Sequence, residues 1–311
     1  MKSLAQHVSE YLMMRRSLGF KAEREKWHLF AFVAFLKTQR VRHIKTALVV
    51  AWAKQPADAH PGYWAGKFGV VRGFAKYVHL IDSRHEVPSP GLLGRHPRRT
   101  TPAIYTEKEV VRILHAARER TFLRHQKKAP FKGLTHEVLF GLLAATGMRV
   151  GEAIRLDDSD IDWAGGVLVI RESKFRKSRE VPVHDTVLDV LRSYREARDR
   201  QIPRRHTKSF FASLAGTRLI YNNVHTTFRQ LLKSAGIERR RARVHDLRHT
   251  FVVRTVLRWY REGANVDACM PILSTYLGHR SPASTYWYLT ATPELMAVVG
   301  RKLARAIGAM A

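Results

Sequence analysis

The chain is 311 residues long and 45% hydrophobic, enough for two ordinary domains with buried cores and too apolar for a disordered polymer. Lysine and arginine number 55 against 26 acids, a formal charge of +29 with a pI near 10.9, which goes beyond what solubility requires and points to a polyanionic partner. The one cysteine, Cys269, excludes an intrachain disulfide and a cysteine-based zinc site, and no stretch approaches the roughly 20 apolar residues that span a bilayer.

The first ten residues lack an apolar core of signal-peptide length, so a soluble, unexported, cytoplasmic protein is expected. Basic residues run through the whole sequence among Trp, Tyr and apolar residues, a pattern that suits nucleic acid better than a single solvated tail would.

In chain order, Leu4, Val8, Leu12 and Met13 step at helical spacing, with Gly19 as a stop signal. A second helix is expected at about 21 to 38, where Trp27, Leu29, Phe30, Phe32, Val33, Phe35 and Leu36 are apolar enough that much of its circumference must be buried. Further helices are expected near 46 to 54 and 63 to 81, making residues 1–87 a compact all-helical domain with basic edges. Residues 88–103 carry Pro88, Pro90, Gly91, Gly94, Pro97 and Pro102 among Arg95, His96, Arg98 and Arg99, and read as a basic linker, either a surface loop or a strap along phosphates.

A second domain, 104–311, opens with Thr106 and Glu109 at capping-box spacing ahead of Val110, Val111, Ile113 and Leu114. Gly165-Gly166 then leads into Val167 to Ile170, a polar basic stretch runs from Arg171 to Arg179, and Val181-Pro182-Val183 resumes an apolar run: a small β-ribbon with a cationic tip. Helices are expected from about 185 to the end, the last near 293 to 307 with Leu295, Val298, Val299, Leu303 and Ile307 on one stripe. That helix either closes its own domain or docks on a neighbouring protomer.

The chemistry gathers in scattered segments. Arg149, in Thr146-Gly147-Met148-Arg149-Val150-Gly151-Glu152, stands at a helix entrance where backbone donors favour an anion, and Glu152 one turn on is placed to brace the guanidinium. His245 and Arg248, in His245-Asp246-Leu247-Arg248-His249, share a helix face and can reach one phosphate; His245 and His249 also have metal-ligand spacing, without an acid to complete the set. Leu277-Gly278-His279 ends a helix with Gly278 suited to a left-handed cap, and Thr285-Tyr286-Trp287-Tyr288 follows. A phenol, whose ordinary pKa is about 10, needs cationic neighbours to act as a nucleophile, and these segments supply them.

In this order of Arg, Lys, His-x-x-Arg, Leu-Gly-His and Tyr, residues from about 105 to 290 resemble the tyrosine recombinase (phage integrase) family, with the Thr-Tyr-Trp-Tyr-Leu string closest in character to transposon-borne members. The resemblance implies a mainly α fold with a small β-sheet, in two domains forming a C-shaped DNA clamp: a helical, SAM-like core-binding domain and a catalytic domain. It implies a site of Arg149, Lys174, His245, Arg248, His279 and Tyr288, with Glu152 as a buttress. The arginines would hold the non-bridging oxygens of the scissile phosphate while Tyr288 attacks in line to give a 3′-phosphotyrosyl link. Lys174 would protonate the leaving 5′-oxygen, His245 would assist proton movement, and His279 would donate to the phosphate. The energy of the phosphoester is kept in that link, so no cofactor or metal is implied, and the partners are double-stranded DNA with a specific site and a homo-tetramer on it.

Lys177 and Tyr286 are alternates for the acid and the nucleophile. Tyr286 and Tyr288 point about 200° apart on a helix, and the nine-residue step from His279 favours Tyr288. Two further functions share these residues: a DNA-binding regulator without catalysis, and type IB topoisomerase-like relaxation.

Overall fold

The computed structural model describes residues 2–94, 102–119, 129–171, 178–239, 242–279, 281, 283–287, 295–297 and 300. The chain is mainly helical with one small sheet, and it divides into two compact units, Met1–Thr100 and Thr101–Ala311.

The first unit consists of α1 (Leu4–Ser17), α2 (Glu23–Thr38), α3 (Thr46–Ala53) and α4 (Pro61–His79). Ser3 and Gln6 close a capping box at the start of α1, and the helix ends at Leu18, just before Gly19 turns left-handed. Val8, Leu29, Phe32, Val49, Val71 and Phe74 are fully buried where the helices meet. The apolar run of α2 is one-sided, contrary to expectation: Leu29, Phe32, Val33 and Leu36 face the core, whereas Trp27 is 64% exposed. The 3.6-residue period sets 27 opposite 29 and 33, so a high apolar count on this helix does not mean burial all round. Met13 likewise faces solvent.

The second unit opens with the expected capping box, Thr106 and Glu109 exchanging hydrogen bonds at the head of α5 (Glu107–Glu119). Next come α6 (Ala129–Thr146), α7 (Val150–Arg155) and an antiparallel sheet of β1 (Ile161–Asp162), β2 (Val167–Ile170) and β3 (Arg179–Pro182), in the order β1-β2-β3. Val167 pairs with Pro182 and Ile170 with Arg179, so the ribbon register is that of a hairpin. The ribbon tip at 172–177, with Lys174 and Lys177, lies outside the described residues.

After α8 (Asp185–Gln201) the expected helical run is broken. Residues 202–220 form a folded loop instead, because Phe210 and Phe211 are wholly buried and the buried Arg198 donates to the Phe210 carbonyl and to Asp158, each at 2.7 Å. α9 (Tyr221–Ser234), α10 (His245–Arg261), α11 (Val266–Leu277) and α12 (Ala283–Tyr286) follow. Of the expected terminal helix, Leu295 is described and buried against α10 and α11; Val298, Val299, Leu303 and Ile307 lie outside the described residues.

α10 joins two apolar clusters. Leu247 belongs to the main core with α5, α6 and the sheet, while Val252, Val253 and Val256 pack with Met270, Leu273 and Leu277 of α11. Its first turn is thereby clamped between the end of α6 and the end of α11.

Candidate functional site

The site is assembled from backbone that cannot be exchanged. At the end of α6, Gly147 has φ +61°, and a Cβ there would collide with the Phe251 ring. Met148 follows, buried, and Arg149 takes extended geometry as the N-cap of α7. Three residues on, Glu152 turns back: its carboxylate accepts the Arg149 backbone N–H at 2.9 Å and the guanidinium at 2.7 Å.

Glu152 has a second partner. Arg179, the first residue of β3, donates through both terminal nitrogens to the two carboxylate oxygens, at 3.2 and 2.9 Å. Burial alone would raise the Glu152 pKa, but hydrogen bonds and charge from Arg179, joined by those from Arg149, outweigh it and bring the group down to about 2.

The end of α11 gathers the arginines. Gly278 is its left-handed cap, with φ +65° and ψ +45°, as the Leu-Gly-His string implied. An α-helix leaves its last four carbonyls without partners, and three consecutive ones here each accept from a different arginine. Tyr276 takes Nε of Arg179 at 2.7 Å, Leu277 takes Arg248 at 2.8 Å, and Gly278 takes Arg149 at 3.1 Å. The negative end of the helix dipole favours that cluster of cations. A Cβ on Gly278 would sit 2.8 Å from the Arg179 guanidinium, so glycine is required for close approach as well as for its φ.

Arg248, on the first turn of α10, is 1% exposed. It also donates to the Gly147 carbonyl at 2.9 Å and meets Nε2 of His279 at 2.8 Å. A guanidinium has no acceptor, so Nε2 accepts, Nδ1 carries the ring proton, and that proton goes to Thr285 Oγ1 at 2.7 Å. In this arrangement His279 meets Arg248 through Nε2 and Thr285 through its ring N–H.

His245 begins α10, close enough to Arg248, Arg243 and Arg149 for burial and then their charges to bring its pKa down to about 4, with Glu152 opposing. Burial and the charges of Arg248, Arg149, Arg179 and His245 bring His279 down to about 3. Both rings are therefore neutral near pH 7. Asp246, wholly buried, holds the turn before α10 by accepting from Arg243 N at 2.8 Å. His245 and His249 stand ring to ring at 5.0 Å and 89°, and among the described residues no group of three His, Cys, Asp or Glu could hold a metal ion.

The structure thus brings Arg149, Glu152, His245, Arg248 and His279 together. Tyr286, on α12, is 38% exposed, and it is its neighbour Thr285 that turns inward to His279. Tyr288 and both ribbon lysines lie outside the described residues. Arg179 was not singled out by the sequence, although alternation along β3 from the buried Val181 sets it on the inner face.

The family model described as the phage integrase family matches residues 104–294. The proposed integrase/recombinase y4rB of Sinorhizobium fredii is 40% identical over 310 residues, covering 98% of each chain. Among solved structures, the Tn1549 transposon integrase in complex with transposon right end DNA is similar with a TM-score of 0.62 and 16% identity, covering 97% of this chain and 100% of that one. A lambda integrase tetramer bound to a Holliday junction is similar with a TM-score of 0.57 and 18% identity, covering 92% and 77%. At those identities the structural likeness is one of fold.

Proposed function

This chain belongs to the phage integrase family, the tyrosine recombinases, and we propose that it cleaves and rejoins DNA at a specific site through a 3′-phosphotyrosyl link formed by Tyr288. It is a site-specific DNA recombinase with strand-transferase activity. The observation that carries the residue-level reading is the set of three arginines held on consecutive carbonyls at the end of α11 and its Gly278 cap, two of them, Arg149 and Arg248, at helix starts beside a neutral histidine.

Arg149 and Arg248 bind the two non-bridging oxygens of the scissile phosphate and offset the charge that grows there in the pentavalent transition state. Neutral His245 takes the proton of the Tyr288 hydroxyl as Oη bonds to phosphorus. The bond from phosphorus to the 5′-oxygen breaks, and Lys174 delivers a proton to that oxygen. Attack by a 5′-hydroxyl from another strand reverses each transfer and releases the tyrosine. The phosphoester is conserved throughout, so the cycle balances without an added energy source. His279 acts through Arg248, which it orients.

Exchanging both strands of two duplexes takes four cleavages with one tyrosine each, so we place a homo-tetramer on the DNA. Both units contact DNA in this reading, the first as the core-binding domain, and the protein works in the cytoplasm on nucleoid or mobile-element DNA. Its relatives in name include integrases, and a transposon-borne role fits the aromatic string before Leu289.

The test is a denaturing gel for a covalent adduct with a nicked suicide substrate drawn from the DNA flanking the gene. Wild type and Tyr286→Phe form the adduct and Tyr288→Phe does not. Loss in Tyr286→Phe alone moves the nucleophile, and firm binding with no adduct leaves a DNA-binding regulator.

A further inference from the structure

Glu152 is a buried carboxylate set against an arginine that the reaction needs. Its side chain is 1% exposed, and it touches Arg149 at 2.7 Å, closely enough to compete with a phosphate for that guanidinium. Arg179 occupies the same carboxylate from the other side through a two-nitrogen fork, while its Nε is fixed on the Tyr276 carbonyl. Its side chain is 10% exposed and packs against the bare Cα of Gly278.

We propose that Arg179 is a positioning residue for strand cleavage: it neutralises Glu152, so that Arg149 keeps both its charge and its reach for the scissile phosphate. This rests on the reading of Arg149 and Arg248 as phosphate ligands. With the site histidines neutral, three guanidiniums against one carboxylate leave a surplus of two positive charges. A phosphodiester carries one negative charge and gains a second as the phenolate oxygen adds, so each surplus arginine charge counts for more in the transition state than in the ground state. Without Arg179 the surplus falls to one, and Arg149 becomes the only cation bonded to Glu152 among the described residues.

The experiment compares single-turnover adduct formation by wild type, Arg179→Gln, Arg179→Lys and the double variant Arg179→Gln/Glu152→Gln on the suicide substrate, with melting curves alongside. Arg179→Gln is expected to slow cleavage about 100-fold, and the double variant, which restores the surplus of two, to regain at least about tenfold. On a substrate whose scissile phosphate is replaced by an uncharged methylphosphonate, wild type and Arg179→Gln converge to within about threefold, since the second charge no longer develops.

A double variant no faster than Arg179→Gln, or an equal loss on the methylphosphonate, overturns the proposal and leaves Arg179 as an ordinary structural ion pair. Should Arg179→Gln fail to fold, a folded double variant or Arg179→Lys that is more than about tenfold slower than wild type overturns the proposal, because neither leaves Glu152 as an uncompensated charge beside Arg149. A wild type that binds its site and forms no adduct defeats the phosphate reading itself, which the variants' rates relative to wild type do not touch.

Discussion

Arg248 and His279, 31 residues apart in sequence, meet at 2.8 Å with the arginine as donor, so the tautomer of the histidine is set by its neighbour. A lysine at 248 offers one point charge where the guanidinium serves Gly147, Leu277 and His279 together. Arg248→Lys is expected to lower the adduct rate by about 100- to 1,000-fold and stability by about 1–3 kcal/mol, read by single-turnover cleavage and thermal melting.

The depressed histidine at 245 fixes a pH signature. In the folded free enzyme His245 holds no proton until pH nears about 4, against an ordinary 6.5, so it stays a competent base through the neutral and mildly acidic range. The second-order rate constant for cleavage, which reports the free enzyme, should show no inflection near 6.5 on the acid side. An inflection there that persists in His245→Gln belongs to another group; one that disappears in it contradicts the burial of this ring.

Stability has its own dependence at Glu152. Its folded pKa of about 2 lies below the ordinary carboxylate value of 4.5, so it stabilises the fold fully above 4.5, and that contribution disappears as pH falls toward 2. The magnitude is on the order of 3 kcal/mol, since each tenfold change in proton affinity is worth about 1.4 kcal/mol. Urea unfolding of wild type from pH 5 down to pH 2 should therefore lose more stability than Glu152→Gln does over the same range. Parallel curves would mean the carboxylate is not held as described.

Gly278→Ala places a Cβ 2.8 Å from the Arg179 guanidinium at φ +65°. The left-handed backbone alone costs about 1–2 kcal/mol, and the displaced arginine adds a kinetic defect. Melting temperature and adduct rate should both fall. A Gly263→Ala control, also left-handed at φ +73° but with nothing within 4 Å of its Cβ, should lose stability and keep its rate.

Trp27 is 64% exposed on α2, and Trp27→Ser should change unfolding stability by no more than about 0.5 kcal/mol in urea titration. A larger loss would place the indole in the core after all.

Much of this was legible in the residues. The helices of the first unit follow from apolar spacing and from stops such as Gly19, and the Arg149 cap, the His245–Arg248 face and the Gly278 turn follow from local rules that need no tertiary information. Which face of α2 is buried was not legible, because composition counts Trp27 and Leu29 alike while only packing distinguishes them. The 202–220 loop was hidden because its order comes from the burial of its own Phe210 and Phe211 and from Arg198 holding the Phe210 carbonyl, tertiary contacts that periodicity does not register. Arg179 stood in a run of cations with nothing to mark it, save the two-residue alternation with Val181. The carbonyls of 276–278 carry no side-chain signature, so a role played by backbone oxygens is invisible until the partners are placed.

Those three carbonyls also tie the proposed phosphate site to the completion of folding. The arginines they hold come from the N-cap of α7, from the first residue of β3 and from α10, so the proposed phosphate site is complete only once the carboxy-terminal turn of α11 has docked against all three. If Arg149 and Arg248 seat the phosphate as proposed, a chain still emerging from synthesis, or one partly unfolded by heat, lacks that seat, and strand cleavage is reserved for molecules whose larger unit has finished folding.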